Sequence, residues 1–237
     1  AGDDRAGLVE DGGGVRASAG FEEPLALAQR FVDPVQPARV DAEGLALEYC
    51  GYIGGSDRDY AYAIAVDEEG QAHVAGTTQS QLRFPAKVGP DLTPNGSSDA
   101  FVAKVSVTGK DLHYCGYIGG DQQDYAKDIA VDSEGNAYVA GWTVSSESSF
   151  PVKAGPDLTH NGNADAFVAK VDPAGTGLVY SGCLGGGAFD YGFGIDVDPS
   201  GCAYVTGQTA SSQGSFLTLN VGPDLTFNGY NPSPPGG

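Results

Sequence analysis

The chain of 237 residues carries 31 Asp and Glu against 12 Lys and Arg, a formal net charge of −19, together with 37 glycines, 12 tyrosines and 10 phenylalanines. That balance excludes nucleic-acid and anionic-membrane partners, because no basic surface is available to meet phosphate. Abundant glycine and aromatics with few charges suit short strands and tight turns rather than a helical bundle. No apolar run approaches the roughly 18 residues of a membrane-spanning helix, so no membrane insertion is expected.

In chain order, residues 1–37 read as an extended arm, since Pro24, Pro34 and Pro37 interrupt any helix over its second half. The apolar side chains Phe21, Leu25, Leu27, Phe31, Val32, Val35 and then Val40 give this segment a face to dock on another surface. The chain starts at Ala1 and contains no methionine, as a processed secreted product does. An extracellular or cell-surface setting is therefore expected, and four cysteines are compatible with it.

From residue 38 the sequence repeats. Tyr49-Cys50-Gly51-Tyr52-Ile53-Gly54-Gly55 returns at Tyr114–Gly120 and, more loosely, at Tyr180–Gly186, so the step is 65 and then 66 residues. Each copy continues with Asp-Tyr (Asp59, Asp124, Asp190), an alternating run such as Ile64-Ala65-Val66, and an Asp-x-x-Gly turn. Alternation of period two means a strand with one face more deeply buried. The turn residues fit a tight reversal, Gly taking positive φ and Asp bonding back to its own backbone. Gly-Pro-Asp-Leu-Thr follows at 89, 155 and 222, then Asp-Ala-Phe-Val-Ala-Lys-Val at Asp99–Val105 and Asp165–Val171. The first two strands form a hairpin, Phe-Val-Ala-Lys-Val is a third strand, and the Leu-x-Tyr run is a fourth. Four strands per unit with glycine-rich corners is the pattern of a propeller blade.

These motifs resemble the bacterial SBBP-type β-propeller repeat family. The likeness covers about residues 38–229 and is closest over 112–171; the third copy departs from it at Cys183 and at Phe216-Leu217. The resemblance implies an all-β fold of about three four-stranded blades and a surface-exposed or secreted bacterial protein. It implies no particular activity. The domain reading is an arm at 1–37, repeats at 47–111, 112–177 and 178–229 plus 38–46, and a Pro/Gly-rich tail at 230–237.

The repeats are cut inside a blade. The third copy lacks the Phe-Val-Ala-Lys-Val strand, while Ala38–Gly44 aligns without a gap to Ala169–Gly175. The N-terminal strand thus completes the last blade, in the same chain or in a neighbour. Three blades are too few for an ordinary ring, and an open array leaves a strand edge at each end. A head-to-tail contact that does not close makes a filament. The expected function is a structural subunit of an extracellular filament, self-assembled by strand complementation. The competing reading is a surface propeller that binds glycan or protein ligands through its loops.

No catalytic grouping stands out: His73, His113 and His160 pair with no nucleophile or metal motif, and no enzyme and no resident cofactor are expected. Asp57, Asp59, Asp121 and Asp124 lie close enough in sequence to hold calcium, against the reading that the recurring aspartates serve a blade-corner turn. Asn95-Gly96-Ser97 is a glycosylation sequon. Cys183 and Cys202 replace non-cysteine residues of the other copies, which predicts a disulfide between them. Cys50 and Cys115 occupy equivalent places in successive repeats and so stand apart.

Overall fold

The computed structural model describes residues 35–212, 214–216 and 223. Twelve strands and no helix are found among them. β1 (Ala38–Val40) pairs with β2 (Leu47–Cys50). β3 (Asp59–Val66), β4 (Ala72–Thr78), β5 (Asp99–Val105) and β6 (Leu112–Ile118) form a four-stranded antiparallel sheet in chain order. β7 (Asp124–Val131), β8 (Ala137–Thr143), β9 (Asp165–Val171) and β10 (Leu178–Leu184) repeat it. β11 (Asp190–Val197) and β12 (Ala203–Thr209) form a fourth sheet, of two strands among the described residues. The molecule therefore holds two complete blades between a leading and a trailing strand pair.

The strand order within a blade is the one read from the sequence, but the blades are phased one strand away from the repeat boundaries. The Leu-x-Tyr strand closes a blade instead of opening one: β6 pairs with β5, and β10 with β9. The reason is local. The turn between β5 and β6 is tight, with the Gly109 N–H donating to Ser106 O at 2.8 Å and Gly109 at φ +68°. The Gly-Gly segment after β6, in contrast, carries the chain to the next blade. The hairpins between first and second strands also form as expected. Gly70 N–H donates to Asp67 O at 3.0 Å while Asp67 Oδ1 accepts Gln71 N–H at 2.8 Å. The same reversal recurs at Asp132/Gly135 and Asp198/Gly201.

Each first strand carries a bulge at one place, between Ala61 and Ala63, Ala126 and Asp128, and Gly192 and Gly194. A bulge adds twist and re-aims a side chain. The bulged residues are Tyr62, Lys127 and Phe193, and Lys127 Nζ stands 3.7 Å from the Tyr62 ring centroid.

Three apolar layers separate the sheets. Val35, Ile53 and Tyr49 of the leading segment pack on Val74, Phe101, Ala103 and Tyr117 of the first complete blade. The opposite face of that blade, through Val102, Tyr114 and Ile118, packs on Ile129, Val139 and Phe167 of the second. Tyr138, Val168 and Tyr180 of the second blade then meet Ile195, Val197 and Val205 of the trailing pair. Burial of this kind of surface, at roughly 25 cal/mol per Å², is the main force holding blade to blade.

Candidate assembly interface

The two strand pairs at the ends correspond to different halves of a complete blade. β11 and β12 correspond to the first and second strands of a complete blade, and β1 and β2 to the third and fourth. Among the described residues β12 pairs only with β11, and β1 only with β2. Both complete blades bury their second strands throughout or nearly so, whereas β12 is open along most of its length. Tyr204 of β12 is 62% exposed, while its counterparts His73 and Tyr138 are 0% exposed. The difference is the missing third strand: His73 and Tyr138 lie opposite Lys104 and Lys170, and no described residue lies there for Tyr204.

The first complete blade shows the converse deficit. Its Ile64 is 54% exposed, where the equivalent Ile129 and Ile195 are 5% and 8% exposed. Those two residues are covered by the preceding blade; among the described residues the leading pair has only β1 and β2.

Two glycine positions report the same gap at close range. Where a complete blade follows, the Tyr of each fourth strand packs against the glycine of the next β5–β6-type turn. A Cβ on Gly109 would stand 2.2 Å from Tyr49 Cγ, and one on Gly175 would stand 2.1 Å from Tyr114 Cγ. The series continues with Tyr180 and, in register, Gly44, where nothing among the described residues lies within 4 Å. Likewise Gly116 and Gly182 abut Gly89 and Gly155 so closely that a Cβ would meet Cα at 2.5 and 2.7 Å, whereas nothing among the described residues lies within 4 Å of Gly51. A groove of about 500 Å³ lined by Gly155, Val168, Tyr180, Leu184, Ala203 and Val205 lies beside β12, where the missing outer strands would pack. A second, of about 390 Å³, runs between Val35–Ala38 and Ala61–Ile64, where missing inner strands would pack.

The corner between blades is built by one recurring set. Asp59 accepts hydrogen bonds from Gly55 N–H at 2.8 Å, from Thr78 Oγ1 and from Ser80 Oγ at 3.1 Å. Asp124 does so from Gly120, Thr143 and Ser145, and Asp190 from Gly186, Thr209 and Ser211. Each carboxylate ties the inter-blade Gly-Gly segment to the end of its own second strand.

A family model, β-propeller repeat (SBBP), matches residues 49–82 and 116–146. Two stretches of the chain thus match the SBBP β-propeller repeat. No curated protein matches the sequence. The matched stretches run from a fourth strand through the corner aspartate and the first hairpin of the next blade, so the SBBP pattern spans the blade-to-blade step on which the open ends depend.

Other candidate residues fall as follows. Asp59 and Asp124 are occupied by the corner, and Asp121 accepts Ser149 Oγ at 2.7 Å. Asp57 Oδ1 accepts Arg58 N–H at 3.0 Å. Among the described residues no group of three or more His, Cys, Asp or Glu is placed to hold a metal. The structure gives Asp59 and Asp124 a turn-locking role. The Thr-x-Ser that completes the corner recurs at 78–80, 143–145 and 209–211 and was the sequence signal for it.

The Cys183–Cys202 disulfide is not formed; both thiols are free. Cys183 stands next to the corner end of β10 and Cys202 in the hairpin turn before β12, so they occupy opposite ends of their strands. Burial pushes the Cys183 thiol up to about 12. Asn95 is exposed and its Nδ2 donates to Asp91 at 2.7 Å, as Asn161 donates to Asp157 at 2.8 Å without a sequon. The asparagine is accounted for by the loop. Val35 is buried and exchanges backbone hydrogen bonds with Ile53, so it serves its own chain; Val40 is exposed on β1. Phe21, Leu25, Leu27, Phe31 and Val32 lie outside the described residues.

His73 is buried between Tyr114 OH and Asp67 Oδ2, each 3.0 Å away, and burial lowers its pKa. Burial pushes the Asp99 carboxyl up to about 7, helped by the charge of Asp124. Asp165, its counterpart, is raised for the same first cause, with Asp190 as the neighbouring charge.

Proposed function

We propose that the protein is a structural subunit of an extracellular or cell-surface filament. The β1–β2 pair of one copy adds to the β11–β12 pair of the copy before it and completes a third four-stranded blade at every junction. The observation that carries this reading is the pair of places at Gly44 and Gly51 with nothing among the described residues within 4 Å, where the equivalent Gly175 packs on Tyr114 of the preceding blade and the equivalent Gly116 on the Gly89 loop between β4 and β5. Main-chain pairing along β12 supplies the affinity, as in other strand-addition contacts. The register is fixed by which face of the strand must be buried.

The contact is heterologous, head to tail, and propagates without limit unless its rotation closes. The charge of −19 per chain keeps finished fibres apart. No catalytic role is assigned. What the sequence reading treated as a donated strand is here a donated hairpin, because β1 is already bonded to β2.

The test is negative-stain microscopy with size-exclusion chromatography of the full chain and of a chain lacking residues 1–50. Fibres, or species far above 24.2 kDa, are expected for the full chain and none for the deletion. A compact monomer from the full chain overturns the reading and returns the grooves to the alternative, a module that binds glycan or protein ligands.

A further inference from the structure

Every complete blade holds a cation on its second-strand face, and the junction lacks one that the next copy is placed to supply. In the first complete blade Lys104 Nζ lies 2.9 Å from Asp67 Oδ2, beside His73. In the second, Lys170 Nζ lies 3.4 Å from Asp132 Oδ2 and 4.7 Å from the Tyr138 ring centroid, and Tyr138 OH donates to the same Asp132 oxygen at 2.9 Å. The three groups come from fixed places: the aspartate opens the first hairpin turn, the Tyr or His is the second residue of the second strand, and the lysine is the penultimate residue of the third strand. Cross-strand register sets Lys104 opposite His73 and Lys170 opposite Tyr138.

The trailing pair has the first two groups. Tyr204 OH donates to Asp198 Oδ2 at 3.2 Å. Among the described residues no Lys or Arg pairs with Asp198. The third-strand place belongs to β1, where the residue equivalent to Lys104 and Lys170 is Arg39. Its Nε lies 2.7 Å from Glu48 and its Nη1 donates to Val107 O at 3.4 Å, both on the surface.

We propose that Arg39 of each copy locks the junction by binding Asp198 of the preceding copy, with its guanidinium over the Tyr204 ring. This rests on the head-to-tail reading and adds the residues that give it polarity and partner choice. Arginine suits the place better than lysine. A planar guanidinium has five donors in a fixed fork, so one edge keeps Glu48 of its own chain while the other takes the neighbour's carboxylate. Stacking on the tyrosine adds a cation–π contact of the kind Lys170 makes with Tyr138. In the complete blades this cation is largely covered, and the aspartate it meets is also held by turn N–H groups and by the His or Tyr; charge reversal at such a site acts through both lost attraction and repulsion.

The test is charge exchange, read by sedimentation and by fluorescence co-assembly. Asp198→Arg and Arg39→Asp, each alone, are expected to raise the protein concentration needed for assembly by about tenfold or more. Mixed together the two variants assemble as an alternating copolymer, because each tail then meets a head of opposite charge. The double variant assembles with itself and does not enter wild-type fibres. Far-UV dichroism and monomer melting identify any variant that fails to fold, and Arg39→Gln with Tyr204→Ala then gives the single-site losses. Singles that assemble like wild type, or a mixture and a double variant that both stay unassembled, overturn the lock while the head-to-tail reading stands. A wild-type chain that never assembles overturns that reading and the lock with it.

Discussion

The second complete blade and the trailing strand pair begin alike and end differently. Ile129-Ala130-Val131 and Ile195-Asp196-Val197 both end at an Asp-x-x-Gly turn and return through Ala-Tyr-Val. In the blade, β8 is flanked by β7 and β9 and its Tyr138 is buried; in the pair, β12 has β11 alone among the described residues and Tyr204 is open. The same residue type at the same position changes environment because a third strand is present or absent. Exposure of apolar groups on β12 thus follows the absence of a third strand among the described residues, and an exposed strand edge of this kind is a pairing site.

The sharpest way to break this comparison is to make one substitution at equivalent positions. Gly116→Val drives a Cβ to 2.5 Å from Gly89 Cα in the same chain and is expected to cost about 3 kcal/mol or more. Gly51→Val meets nothing among the described residues within 4 Å. It should leave monomer stability within about 0.5 kcal/mol yet abolish assembly. Denaturant unfolding and sedimentation separate the two; equal destabilisation at both sites would mean that the ends are packed within one chain.

A side-chain version follows. Phe167→Ala empties a place in the core between the complete blades and should cost about 3–5 kcal/mol. Tyr204→Ala in a chain held monomeric by deletion of residues 1–50 should cost less than about 0.5 kcal/mol. A large loss there would show β12 to be covered in the monomer.

The corners predict a pH dependence. Asp99 titrates near 7 in the folded chain against 3.8 as a free side chain, so the folded state binds the extra proton between these values. Its contribution is fully present below about 4 and is lost as pH rises through 7. The denaturation midpoint should therefore rise as pH is lowered from 8 to 6, and Asp99→Asn should flatten part of that slope. Asp165, raised in the same direction, retains the rest. A slope unchanged in Asp99→Asn would remove the assignment.

The smallest effect is expected from chelation and reduction. EDTA should leave the melting temperature unchanged, since the Asp59 and Asp124 carboxylates are taken up by Thr, Ser and backbone donors. Reduction should leave the intact mass of the monomer unchanged, since Cys183 and Cys202 are free. A chelator-induced shift would reopen the calcium reading.

Much of the blade was legible in the sequence. Alternation at Ile64-Ala65-Val66 and the Asp67–Gly70 turn specify a hairpin through local geometry alone. The recurring Asp59, Asp124 and Asp190 pointed to a corner, although the Thr-x-Ser partners nineteen and twenty-one residues on were not read with them. The place of Leu-x-Tyr as a fourth strand was legible too, since β6 pairs with β5 and β10 with β9, although the repeat bounds at Leu47, Leu112 and Leu178 begin one strand before the next blade opens. The cysteine pair failed: departure from a repeat pattern shows that two residues are unusual, not that they share an end of the strand.

What the sequence by itself determined is the repeating four-strand blade and the cut within it, visible when Ala38–Gly44 falls into register with Ala169–Gly175. Strand period and turn chemistry are local, so they survive in one dimension. What only the tertiary structure decided is that β1 and β2 pair with each other, that β12 keeps a free edge among the described residues, and that Gly44, Gly51 and Asp198 stand without the neighbours their counterparts have. Burial depends on which surface covers a face, and that is fixed by how the sheets stack.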